Sequence, residues 1–176
     1  TVAPARYLAY WVRQPAGWRV AVYRRGRRPE GEVSTRMLAP ALPAHLLPPS
    51  ADPATVEAHR ASLDAAERAF SDEAQSIGLG PAFARWGSED AMNMGRGATF
   101  TLGAARIGAE IGEGSPGPSP VSWAPDRVIV ASSGDLGVTI GRIRPHTPPA
   151  SGPSAFPFFT IWRRSTPTAP WRYIAE

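Results

Sequence analysis

Between Asp52 and Gly78 the chain carries one long amphipathic stripe, and this feature restricts its fold more than any other. Val56, Leu63, Ala66, Phe70, Ala74 and Ile77 recur at steps of seven, three, four, four and three, which places them on one face of a helix. Asp52 can cap the first amides, Pro53 suits the first helical position, and Gly78 ends the helix. Glu57, Arg60, Asp64, Arg68 and Asp72 fall elsewhere, with Asp64 and Arg68 at the favourable i, i+4 spacing. A stripe of this length needs a cover. Residues 81–86, closed by Gly87, and 104–111, closed by Gly112, predict two more helices, both too short to stand alone. Strand-like runs follow at 121–123 continuing into 127–131, at 136–144, 156–164 and 171–175, with a turn at Ser133-Gly134-Asp135. Helices followed by sequential strands predict an α+β fold with an antiparallel sheet.

Ahead of the helix the pattern changes twice. Residues 7–12 and 18–23 are rich in aromatic and β-branched side chains, and 14–17 supply Pro and Gly for a turn, so a β-hairpin is expected. Residues 26–54 then carry Pro29, Pro40, Pro43, Pro48, Pro49 and Pro53, which prevents a long regular element. Met37, Leu38, Leu42, Leu46 and Leu47 make this linker too apolar for a free tether, and it is expected to lie on the domain surface, buried in part. A Gly, Pro and Ser loop at 112–120 is expected to be mobile. Pro and Gly together remain below the roughly 25–30% of low-complexity chains, and with 43% apolar residues a packed domain is expected. No run approaches the roughly 18 apolar residues of a membrane-spanning helix.

The two ends of the chain align on each other. Tyr7-Leu8-Ala9-Tyr10-Trp11-Val12-Arg13 matches Phe158-Phe159-Thr160-Ile161-Trp162-Arg163-Arg164, and Trp18-Arg19 matches Trp171-Arg172. Residues 55–176 resemble the SnoaL-like, nuclear transport factor 2-like superfamily, close to its branch of small bacterial domains of unassigned function. The resemblance lies in Ala65-Ala66-Glu67-Arg68-Ala69-Phe70, Gly80-Pro81-Ala82-Phe83, Glu89-Asp90-Ala91, Val121-Ser122-Trp123-Ala124-Pro125, Ser133-Gly134-Asp135-Leu136-Gly137 and Thr160-Ile161-Trp162-Arg163-Arg164, taken in order. It implies a cystatin-like cone, a curved antiparallel sheet wrapped around the long helix with an apolar pocket at its wide end. It also implies a division into a hairpin at 1–28, a Pro-rich linker at 29–54 and the cone domain at 55–176. The hairpin then reads as the last two strands of a preceding copy in a tandem protein, packed on the remaining domain, on a neighbouring chain, or as a strand added to a sheet edge.

All 19 basic residues are arginine, read here as the coding bias of a GC-rich bacterial genome. Residues 1–50 hold 8 Arg and 2 acids, 51–120 hold 5 and 10, and 121–176 hold 6 and 3. Only Arg24, Arg25, Arg27 and Arg28 cluster, and a solvated strand end explains them, so neither nucleic acid nor membrane is expected as a partner. The absence of cysteine removes disulfides and thiolate chemistry. Thr1 is not an initiator Met and no leader pattern follows it, so the expectation is either a removed leader or a fragment of something longer, from a bacterial protein that is cytoplasmic or exported from a precursor. His45, His59 and His146 match no metal-ligand spacing and read as surface residues; neither metal nor cofactor is expected.

Superfamily enzymes place polar groups inside the cone, but the isomerases' catalytic Asp would fall near Met94 or Gly95, where this chain has no acid. Asp90 is the remaining candidate base, and Asp135 reads as a turn residue. Trp86, Asp90, Met92, Met94, Trp123, Arg142, Phe158 and Trp162 are the expected pocket residues, Arg142 as a cation for an acidic ligand if the face of Leu136, Val138 and Ile140 lines the cone. The leading expectation is a binding domain for a small apolar or weakly acidic molecule, forming a homodimer through its sheet. The alternatives are an isomerase, dehydratase or hydrolase using Asp90, and a noncatalytic assembly module.

Overall fold

The structure, a computed structural model, describes residues 4–32, 37–43, 45–113 and 117–176. Residues 114–116 of the loop expected to be mobile lie outside the described residues, as do parts of the linker. The chain opens with strands β1 (Ala5–Gln14) and β2 (Gly17–Arg27), an antiparallel hairpin turned at Pro15-Ala16 with Gly17 at φ +106°. Helix α1 spans Pro53–Ile77 and α2 spans Leu79–Trp86; strands β3 (Gly87–Asn93) and β4 (Thr101–Leu102) follow. Helix α3 (Ala104–Gly112) leads to β5 (Val121–Val130), β6 (Leu136–Pro145), β7 (Phe156–Arg163) and β8 (Arg172–Ala175).

The cap on α1 is the expected one. Asp52 accepts from the amides of Ala54 and Thr55 at 3.1 Å each, satisfying donors that the helix start leaves free. Its buried side chains are Leu63, Glu67, Phe70, Ser71 and Ala74, with Ala66 and Ile77 packed against the same core, so the expected stripe is present and takes in a carboxylate as well. The six-stranded sheet runs β4-β3-β8-β7-β6-β5, antiparallel except where β3 lies parallel to β8. This is the α+β architecture expected, with a curved sheet around the long helix.

Alternation along the strands divides the apolar residues between two faces. The inner face packs Trp123, Phe158, Trp162 and Tyr173 around Phe70 of α1, whose ring lies 4.9 Å from those of Phe83 and Trp123. The outer face holds Val138, Ile140, Phe159 and Ile161. This is where the hairpin packs: Tyr10 is buried there, with Leu8, Val12 and Val22 beside it. The hairpin forms its own two-stranded sheet stacked on the larger one, so it does not extend a sheet edge. Buried Arg6 ties it down further by donating to the carbonyls of Gly95, Gly97 and Thr99 at 2.7, 2.5 and 2.9 Å.

The linker departs from expectation. Leu47 is half-buried, but Met37, Leu38, Leu42 and Leu46 are exposed. Its Pro-rich backbone has few amides to pair, and Arg163 holds it to the domain by donating to the carbonyl of Ala41 at 3.1 Å.

Candidate functional site

Two helices and three strands leave a small cavity where they meet at one end of the sheet. About 150 Å³ in volume, it is bounded by Leu79 and Phe83 of α2 and Ile111 of α3, then by Val121 and Trp123 of β5, Ile143 of β6 and Phe158 of β7. Glu176 supplies its remaining wall. A wider open cleft of about 730 Å³ shares Leu79 and Ile111 with the cavity and extends past Asn93, Arg96, Thr101, Arg106 and Glu110.

Glu176 is positioned by backbone pairing. Its amide donates to the Met92 carbonyl at 3.1 Å and its carbonyl accepts from the Met94 amide at 3.0 Å, which carries β8 along β3. The residue as a whole is half-buried, whereas its Oε2 is buried and has no hydrogen-bond partner. Burial pushes the carboxyl up to about 8, the charge of Glu67 adds to the rise, and Arg24 of the hairpin opposes it.

Glu67 is the second buried carboxyl, and it is fully engaged. It accepts from Trp123 Nε1 at 2.6 Å, Trp162 Nε1 at 2.9 Å and the Thr139 hydroxyl. Burial raises its carboxyl above the usual glutamate range, and donors on Thr139, Trp123, Trp162 and Thr160 pull it back only in part. An indole N–H is a donor with no acceptor capacity, so one carboxyl fixes two tryptophans of the inner wall. Trp123, which borders the cavity, is further set by its amide donating to Ser71 Oγ at 3.0 Å.

Of the expected pocket residues, Trp123 and Phe158 border the cavity, and Trp86 and Trp162 belong to the same core cluster. Asp90 does not join them. Strand alternation turns Ala91 inward, so Asp90 faces out, where Arg163 Nη2 donates to both its carboxylate oxygens at 2.8 Å. Partial burial pushes Asp90 up, but Ser88 and Arg163 outweigh it and hold the carboxyl below its usual range. Arg142 is also outside, because the face of Leu136, Val138 and Ile140 is the outer one; it is exposed and pairs with Asp126 at 3.3 Å. Met92 packs with the hairpin cluster, and buried Met94 lies close to Gly26 of β2. Asp135 has the expected turn role, accepting from Ser133 Oγ at 2.6 Å and from the Arg164 amide at 2.9 Å.

Glu67 and Glu176 escaped the sequence reading. The signal for Glu67 was its position, since Leu63, Glu67, Phe70 and Ala74 follow steps of four, three and four, and an acid on the buried stripe calls for donors. Nothing comparable marks Glu176. His59 is half-buried, with Nδ1 2.9 Å from an Arg164 guanidinium nitrogen. Among the described residues no group of three or more His, Asp or Glu is placed to hold a metal ion, and no helix is long and apolar enough to cross a membrane.

The class these observations define is an α+β cone with a helix-backed, mostly apolar cavity. No protein-family model and no curated protein matches the chain. Among solved structures it is similar to a cystatin-like fold protein from Burkholderia xenovorans, at 19% identity over 70% of this chain and 88% of the other, with a TM-score of 0.43. It is similar to a nuclear transport factor 2-like protein of unknown function from Pseudomonas putida, at 16% identity over 70% and 84%, TM-score 0.45. A ketosteroid isomerase-like protein from Erwinia carotovora gives 19% over 69% and 90%, TM-score 0.38. The fold assignment rests on the chain's own topology.

Proposed function

We propose that this chain is a small-molecule-binding domain whose site is the cavity closed by Glu176. The observation that supports this is the carboxyl oxygen Oε2, buried without a partner beside an otherwise apolar wall. Leaving such a group unpaired costs about 1–3 kcal/mol, and a ligand atom that pairs with it removes that cost. With its titration near 8 the carboxyl is mostly protonated at neutral pH. It then donates to a carbonyl or carboxylate and accepts from a hydroxyl, which suits a weakly acidic or weakly polar ligand. An apolar cavity of about 150 Å³ admits a benzene-sized molecule, so the ligand is a single ring or a short branched chain. Asp90 lies outside this site, paired with Arg163, and is not placed to move a proton there.

The test is a titration of benzoates and small cyclic ketones, followed by protein NMR shifts. A ligand is expected to bind the wild-type chain, to be lost in Ile143→Trp, which fills the cavity, and to weaken as pH rises through about 8. Glu176→Gln is expected to abolish that pH dependence. Failure of every compound to bind, or equal binding to the filled variant, sinks the proposal.

A further inference from the structure

The hairpin and the last two strands share a pairing register. Trp11 pairs with Val20 and Val12 with Arg19 across β1 and β2, just as Trp162 pairs with Tyr173 and Arg163 with Arg172 across β7 and β8. Each ladder slips at the step before its tryptophan, Tyr10/Trp11 in one and Ile161/Trp162 in the other. These are the positions that the sequence repeat equates. Alternation therefore gives the two ribbons corresponding faces. On one face, the equated pairs Leu8 and Phe159, Tyr10 and Ile161 meet in a single cluster.

The opposite faces differ in what covers them. Phe158, Trp162 and Trp171 are 4%, 0% and 4% exposed within the cone core. Their counterparts Tyr7, Trp11 and Trp18 are 65%, 53% and 61% exposed. Tyr23, whose ring lies 5.7 Å from that of Tyr7, and Val20 extend the same exposed surface. Scattered exposed apolar residues are ordinary, but a contiguous aromatic ribbon face with the pattern of a core wall marks an interaction surface.

We infer that this outward face is the inner wall of a second cone and receives the long helix of a preceding copy of the domain on the same polypeptide. That helix is amphipathic and carries a carboxylate in its apolar stripe for the Trp11 indole, as α1 carries Glu67 for Trp162. Charge favours this occupant over a second copy of the hairpin. Residues 5–28 hold seven arginines and no acid, so two hairpins face to face repel, whereas residues 53–77 of α1 hold five acids against two arginines.

A synthetic peptide of residues 52–78 is the probe for such a helix, titrated into the full chain and read by tryptophan fluorescence. Saturable binding with a blue shift is expected. Trp11→Ala and Trp18→Ala are each expected to weaken it by about tenfold or more, with the far-UV circular dichroism of the chain unchanged, because both side chains are exposed. A peptide with Glu67→Gln is expected to bind more weakly than the parent. Absence of binding at millimolar peptide, or binding indifferent to Trp11→Ala, overturns the inference. So does a concentration-dependent dimer, or binding of a single-stranded oligonucleotide, that Trp11→Ala abolishes: the first assigns the face to a second copy and the second to nucleic acid.

Discussion

Two glutamates share the interior of this domain and are treated in opposite ways. Glu67 is saturated with donors and serves as a bolt between α1 and the sheet, while Glu176 has a buried oxygen that nothing pairs. The difference shows in stability against pH. Glu176 keeps its proton in the folded chain up to about 8, whereas the unfolded chain releases it near 4.5. The stability contributed by the protonated carboxyl is thus complete below about 4.5 and is lost as pH rises through about 8. Chemical denaturation from pH 5 to 9 is expected to show stability falling across that interval, and Glu176→Gln is expected to flatten it. Glu67 shifts in the same direction, so a residual slope in the variant belongs to it. At this scale the sequence was only partly legible. An acid flagged by a family pattern, Asp90, is drawn outward by the parity of its strand and by Arg163, while an acid placed among apolar positions, Glu67, is the buried one.

Close approaches between elements leave little room at the glycines that make them. A side chain at Gly141 would put its Cβ 2.1 Å from the Ala124 carbonyl oxygen and 2.8 Å from Phe158 Cε1. The first neighbour is backbone and cannot swing aside. Gly141→Ala is therefore expected to cost about 1–3 kcal/mol by urea denaturation, with the loss centred on the β5–β6 pairing. Gly80 and Gly108 do the same for the crossing of α2 and α3, where a Cβ on either meets the other's carbonyl oxygen within 2.7 Å. Elements with strong local signals were legible: α1 from its period and cap, the hairpin from its turn, and the last four strands from their β-branched and aromatic runs. Strands β3 and β4 were not. Gly87–Asn93 contains Gly, Ser, Glu, Asp and Asn, poor strand formers, and it is extended because β8 and β4 pair with it.

At the scale of the whole molecule the hairpin decides what the sheet can do. It covers Val138, Ile140, Phe159 and Ile161, the outer face of the sheet. Removal of residues 1–28 is expected to lower the melting temperature by more than about 5 °C and to turn the chain into a concentration-dependent dimer in sedimentation velocity. A stable monomer after that removal would mean the outer face needs no cover. Arg6 gives the same hairpin a mechanical meaning. Its guanidinium grips three carbonyls of the loop between β3 and β4, and that loop forms the rim of the open cleft. A load applied at the N-terminus is thus delivered to the rim before it reaches the core, and the first strand works as a drawstring on the mouth of the cone.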